Sequence, residues 1–199
     1  YGFSHEVLNE DSKTNPLTTY AEANLLAEKD ILSLQDKKFV VTVLRQSTVF
    51  GLSYRMRFDL AINGMTKGFF QNGKIPILKD GTQWRPFIHV KDTCRAMIAV
   101  LSAPDDDVNG QIFNVGCNEQ NYQILELAKL VADGAGFPFE YEWYGDPDHR
   151  SYQLDFSKIK KILDFTPIYD ACHGAKEIAT AIRKNEIDLE DPKTITLVW

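Results

Sequence analysis

Strand-like and helix-like patterns take turns along almost the whole chain, and this alternation narrows the possible folds more than any other feature. Phe39-Val-Val-Thr-Val-Leu44 is a β-rich run bounded by charged and polar residues, and Ile75 to Leu78, Pro86 to Val90 and Ile112 to Val115 repeat the signal. Between them, apolar residues recur at helical spacing from Tyr20 to Leu34, Phe58 to Phe70, Asp92 to Leu101, Tyr122 to Ala132 and Ala171 to Arg183. Phe137 to Tyr144 predicts a further strand, Ser157 is expected to cap a helix running through Leu163, and Asp80-Gly81 reads as a turn. The tail beyond Asp188 is expected to be peripheral. Gly and Pro fall at the joints, without an internal repeat or a low-complexity linker, so the chain reads as mixed α/β. Such a pattern fixes a class of architecture and leaves the reaction open.

Composition removes several function classes. With 44% hydrophobic and 25% charged residues over 199 positions, the chain can bury a core in one or two compact units. A formal net charge of -6 without any Lys/Arg block argues against nonspecific binding to nucleic acid or anionic membranes, while leaving room for a local basic pocket. No apolar run approaches the roughly 20 residues of a membrane helix, and no secretory signal opens the sequence. Cys94, Cys117 and Cys172 are scattered, which predicts reduced thiols and a cytoplasmic protein. His5, His89, His149 and His173 share no ligand spacing, so no metal site is expected.

Four segments carry a sharper signal: Pro16-Leu-Thr-Thr-Tyr20-Ala-Glu-Ala-Asn24, then Leu44-Arg45 leading to Val49-Phe50-Gly51, then Trp84-Arg85-Pro86-Phe87-Ile88-His89-Val90-Lys91-Asp92, then Phe113-Asn114-Val115-Gly116. In this order they resemble the extended short-chain dehydrogenase/reductases, in the branch of NAD(P)-dependent nucleotide-sugar epimerases and dehydratases. The resemblance implies the C-terminal portion of a Rossmann-type doubly wound sheet plus a small α/β substrate-binding domain. Residues 1–57 would end the Rossmann-type domain, and residues 58–199 would be mainly substrate-binding, returning to the sheet around 86–116. Reading from Tyr1 onward there is no Gly-x-x-Gly-x-x-Gly turn to cradle a pyrophosphate. Tyr1-Gly2 matches the end of the family's Ser-x-x-x-Val-Tyr-Gly segment, so the N-terminal dinucleotide-binding half, with its catalytic Ser or Thr, is expected upstream of residue 1.

By the same resemblance, Tyr20 is the catalytic tyrosine, which takes a sugar hydroxyl proton while hydride passes to NAD or NADP. The family's Tyr-x-x-x-Lys spacing puts phenol and ammonium one helical turn apart, and here Asn24 stands at the lysine position. An amide can still bond a ribose hydroxyl, but it lends no charge to the phenol. Tyr20, Asn24, Phe50 and Gly51 are therefore the implied cofactor-binding residues; alternatively, Tyr20 simply begins an amphipathic helix and Phe50-Gly51 ends a strand. Asn63, Arg85 and Arg150 are the implied substrate-binding residues, gripping the diphosphate of a nucleoside diphosphate sugar. Against this stand a solvated helix position for Asn63 and a surface network of Arg150 with Asp146, Asp148 and Asp155. Gly51-Leu52 and Thr48 depart from the usual Gly-Pro and Asn of relatives.

Three readings follow. The chain is part of an NAD(P)-dependent epimerase or dehydratase, inactive by itself; or it is a non-catalytic nucleotide-sugar binder, as Asn24 suggests; or it is a scaffold whose tyrosine helix pairs subunits into a homodimer.

Overall fold

A computed structural model of the chain describes residues 1–148 and 150–191. The elements run β1 (Val7–Leu8), α1 (Thr19–Ser33), β2 (Thr42–Gln46), β3 (Thr48–Phe50), α2 (Ala61–Asn72), β4 (Ile75–Leu78), β5 (Trp84–His89), α3 (Val90–Ser102), α4 (Asp105–Val108), β6 (Gln111–Val115), β7 (Asn121–Gln123), α5 (Ile124–Ala135), β8 (Tyr141–Tyr144), β9 (Gln153–Leu154), α6 (Ser157–Leu163) and α7 (Ala171–Arg183). Strands and helices alternate, and the α/β class expected from the pattern is the class observed.

The central feature is a strand that changes partner halfway. β2 pairs in parallel with β6, whereas β3 pairs in parallel with β5, which in turn carries β7 antiparallel on its other side. Ser47 makes the switch. Its N–H and its hydroxyl both donate to the Val115 carbonyl, at 3.2 and 2.8 Å, so neither is left unpaired where the ladder is interrupted. Separate parallel pairs, β4 with β8 and β1 with β9, flank this arrangement.

Two apolar clusters hold these layers. One gathers Ile62 and Met65 of α2, Ile75 and Ile77 of β4, Phe87 of β5, Leu127 and Val131 of α5, and Ala175 and Ala179 of α7. The other joins Ile88, Ala96, Phe113 and Val115 to Leu154, Phe156 and Ile159. Helices α5 and α7 approach so closely that a Cβ at Gly134 would overlap the Cys172 backbone, which leaves only glycine for that crossing.

Element boundaries moved where side chains captured backbone groups. The apolar run from Phe39 enters the ladder only at Thr42, because the Asp36 carboxylate accepts the N–H groups of Lys38 and Phe39 at 2.6 and 2.8 Å in a turn. The helix expected from Phe58 starts at Ala61, since Leu60 is extended. That expected from Tyr122 starts at Ile124, since residues 121–123 pair with β5. Ser157 does not cap α6: Asp155 accepts the Ser157 N–H at 3.2 Å and its hydroxyl at 2.6 Å. Helix α7 has the predicted limits and is capped by Asp170, which accepts the His173 N–H at 2.8 Å.

Helix α1 begins on a Thr18 cap that accepts the Ala21 N–H at 3.2 Å, yet none of its residues is buried. Its tether is an ion pair in which Arg45 of β2 grips Glu28 through two hydrogen bonds, of 2.9 and 2.6 Å. Tyr1 joins this pair by accepting from the Arg45 guanidinium at 2.5 Å while donating to Asn114 at 2.8 Å.

Candidate functional site

Alternation along β5 opens one wall of a cleft of about 1000 Å³. Gln83, Arg85 and Phe87 are two residues apart, so their side chains share a face, and all three line this cavity. The end of β2 and β3 contribute Gln46, Ser47, Thr48 and Val49, and the segment before α2 contributes Arg57, Phe58 and Asp59. Pro76 and Leu78 of β4 with Tyr144 of β8 form a further apolar side. Tyr20, at the first turn of α1, lies at the rim with 80% of its surface exposed.

The charge in the cleft is organised around Asp148. Its Oδ2 accepts from Arg85 Nη2 at 2.8 Å and from Arg150 Nη2 at 2.9 Å, and its Oδ1 accepts from Arg150 Nε at 2.9 Å and from the Arg150 N–H at 3.0 Å. Burial alone would raise the Asp148 carboxyl, but hydrogen bonds from Arg150 and the charge of Arg85 outweigh it and hold the group below the usual carboxylate range. Arg85 lies over the Tyr152 ring, 5.4 Å from its centroid, and burial lowers its guanidinium pKa against the opposing pull of Asp148. Arg57 is paired with Asp59 through two bonds of 3.1 and 2.6 Å. These hydrogen bonds are the main cause that raises the Arg57 pKa, and the Tyr20 phenol adds a smaller Coulombic contribution.

Two amide atoms in this wall have no hydrogen-bond partner although they are buried: Gln46 Nε2 and Gln83 Oε1. Each retains unmet polar capacity beside the cavity.

The structure brings three of the expected site residues together in the cleft, Tyr20, Arg85 and Arg150. Four others lie elsewhere. Asn24 donates from Nδ2 to the Tyr20 carbonyl at 2.8 Å, because a short amide one turn along a helix meets that acceptor first, and it is off the cleft lining. Phe50 is 2% exposed, packed edge-on against Phe87 and His89 at the end of β3, the strand-ending role that stood as the alternative. Gly51 is buried with φ +106, and a Cβ there would overlap the His89 ring. Asn63 is buried rather than solvated: its Oδ1 accepts the Gly51 N–H at 3.1 Å and its Nδ2 donates to the Arg57 carbonyl at 3.1 Å. It shapes the loop that lines the cleft and does not itself line it. Arg150 does enter the acidic network foreseen as the competing reading, through Asp148, while Asp155 instead serves α6. His149 falls outside the described residues.

Arg57, Gln83, Asp148 and Tyr152 were passed over as site residues. Arg85 was implied by the resemblance, and strand alternation from it would have placed Gln83 on the same face; Asp148 was visible only as a charge near Arg150.

Among the described residues, no group of three or more His, Cys, Asp or Glu side chains is placed to hold a metal ion. No described helix is long and apolar enough to cross a membrane.

Comparison with known proteins decides the family. Residues 1–116 match the model of the NAD dependent epimerase/dehydratase family. The chain belongs to this family. Among curated relatives, this epimerase/dehydratase chain is 29% identical over 191 residues to a UDP-glucose 4-epimerase of Lactobacillus helveticus, with 85% of the chain and 57% of the relative covered. A UDP-glucuronate 4-epimerase of Thermodesulfobacterium geofontis is 28% identical over 186 residues, with 91% and 54% covered. The chain thus spans little more than half the length of these two relatives. Among solved structures, MoeE5 in complex with UDP-glucuronic acid and NAD superimposes with a TM-score of 0.79 at 26% identity, covering 93% of this chain and 62% of that one. The UDP-glucuronic acid 4-epimerase of Bacillus cereus, at 24% identity and a TM-score of 0.79, covers 93% of this chain and 59% of its own, and shares the fold.

Of the four residues expected at the NAD(P) cofactor, Tyr20 alone lines the cleft of this epimerase/dehydratase chain. Asn24 has bonded back to its own helix, and Phe50 and Gly51 are in the core. As placed here, these four residues do not line one cleft together.

Proposed function

We propose that the cleft binds the nucleoside diphosphate sugar of an NAD(P)-dependent epimerase or dehydratase, and that the chain alone binds this ligand without turning it over. The observation that carries the reading is the convergence of Arg85 and Arg150 from separate segments on a single carboxylate, within a cavity that Tyr20 also lines. Two guanidiniums directed at one anion, Arg150 through two side-chain hydrogen bonds and Arg85 through one, have a geometry that also suits phosphate oxygens. The apolar wall of Pro76, Leu78 and Tyr144 offers a surface to a planar base. Tyr20 is the group in reach of a sugar hydroxyl proton as general base.

In this reading residues 1–57 finish a dinucleotide-binding domain and residues 58–199 form mainly the sugar-nucleotide half. A cytoplasmic homodimer paired through the exposed α1 belongs to the same proposal. Calorimetric titration of the purified chain with UDP-glucose, UDP-glucuronic acid, dTDP-glucose and, separately, NAD tests it. Binding of a sugar nucleotide is expected, weakened on the order of 10-fold to 100-fold by Arg85→Ala, as when one charged partner of a phosphate is lost. Tight NAD binding without sugar-nucleotide binding would overturn the proposal.

Asn24 favours a second reading, that of a non-catalytic binder, because it supplies no charge near Tyr20. Comparing Asn24→Lys with the parent in the full-length protein separates the two. A parent that turns over sugar nucleotide supports the enzyme. An inactive parent whose variant gains turnover of the sugar nucleotide identifies the lysine as the missing part.

A further inference from the structure

Arg85 is a cation held mostly away from water, with 13% of its side chain exposed, and such a charge is stable only beside an anion. Asp148 is the carboxylate paired with it, and the same carboxylate also takes the side chain of Arg150. One carboxylate therefore accepts three guanidinium hydrogen bonds and a backbone N–H, at 2.8 to 3.0 Å, while 14% of its side chain is exposed. The remaining Arg85 hydrogen bond, from Nη1 to the Trp84 carbonyl at 2.7 Å, fixes the direction of the fork.

This arrangement commits three guanidinium N–H groups, from both arginines, to the carboxylate at the place where an incoming diphosphate would meet the pair. Two guanidiniums and one carboxylate leave a net charge of about +1 in the cluster; a diphosphate diester, carrying about two negative charges, would turn it to about −1 if Asp148 stayed and to neutrality if Asp148 left. We infer that Asp148 is a place-holding anion: its carboxylate satisfies Arg85 and Arg150 in the free protein and gives way to the diphosphate of the ligand. Asp148 thereby sets the anion selectivity of the cleft. Exchange for a single negative charge leaves the arginine pair as it was, whereas exchange for two completes its neutralisation. This inference rests on the reading of the cleft as a nucleoside diphosphate sugar site.

The test uses Asp148→Asn and Asp148→Ala with two probes, inorganic pyrophosphate and UDP-glucose, and uridine as an uncharged control, by calorimetry at fixed ionic strength. Both variants are expected to bind pyrophosphate and UDP-glucose on the order of tenfold more tightly than the parent, as removal of a competing charge predicts, with uridine unchanged. Weaker or equal pyrophosphate binding by both variants would sink the idea and make Asp148 a positioning residue for the arginines. Tighter pyrophosphate binding without any UDP-glucose binding would uphold the place-holder and remove the nucleotide-sugar reading. Failure of pyrophosphate to bind parent and variants alike would overturn both. Circular dichroism of each variant establishes that it is folded, and agreement between the two substitutions excludes a peculiarity of either side chain.

Discussion

Asp92→Ala is expected to lower the unfolding free energy by about 2–4 kcal/mol, the range for leaving two backbone donors without their acceptor. Asp92 is 0% exposed, at the first turn of α3. Its Oδ2 accepts the backbone N–H groups of Ile168 and Tyr169 at 3.0 and 2.9 Å, and its Oδ1 accepts from Arg95 at 2.5 Å. Arg95 is partly exposed and can turn to water, so most of the loss falls on the Ile168 and Tyr169 N–H groups, which lose their acceptor. That segment leads into α7, and the Tyr169 carbonyl in turn accepts from Gln120 at 3.0 Å. Urea unfolding followed by circular dichroism measures the change. A loss below about 1 kcal/mol would mean that water or a neighbour replaces the carboxylate. Asp92→Asn retains an acceptor and is expected to lose less.

Glu177→Ala is expected to cost about 2–4 kcal/mol, because the carboxylate serves three donors from three segments. Its Oε2 accepts the Leu52 N–H at 3.1 Å and faces His89 Nε2 at 3.0 Å, while Oε1 pairs with Lys91. His89 Nδ1 accepts the Lys91 N–H at 3.2 Å, so Nε2 is the nitrogen that carries the proton toward Glu177. Without the carboxylate, the buried ring keeps an unpaired N–H directly against the Gly51 turn. The pH profile provides a second readout. Burial lowers the His89 pKa from its ordinary 6.5, in spite of the opposing pull of Glu177. Below about 6.5 the unfolded chain therefore takes up a proton that folded His89 resists, so stability falls as pH drops through this window. Burial alone would raise the Glu177 carboxyl, but the hydrogen bonds from Lys91, the Leu52 N–H and His89 hold it below its ordinary value. Its contribution is present above about 4.3 and is lost as pH falls further through the folded value. Both groups act in one direction. Glu177→Ala is expected to remove the lower part of the acid loss, and a profile parallel to the parent's would contradict this.

These two carboxylates show why the segment from Trp84 to Asp92 was only half legible as a string. It marked the family, and the resemblance it carries singled out Arg85, which does line the cleft. Yet His89 and Asp92 turned out to be architectural, their partners lying 88 positions away for His89 and 76 and 77 for Asp92. Asn63 had the right residue type for a ligand contact, but Gly51 and Arg57 offered its amide a donor and an acceptor inside the loop. Asp148 was no more than one of three nearby acids until Arg85 came within 2.8 Å of it.

The sequence by itself determined what depends on near neighbours along the chain. Period-two and period-3.6 spacing set the order and type of the main elements, including the limits of α7, and the ordered motifs set the family. Tertiary structure decided what depends on competition between distant groups. The strand from Thr42 to Phe50 divides its partners between β6 and β5 at Ser47, which follows from where the Val115 carbonyl lies. Arg85 and Arg150 meet at one carboxylate only because β5 and residues 150–152 are folded against each other, with the Tyr152 N–H donating to the Trp84 carbonyl at 3.2 Å. A polar side chain binds the best partner that the fold brings within about 3 Å, and sequence spacing alone does not specify which partner that is.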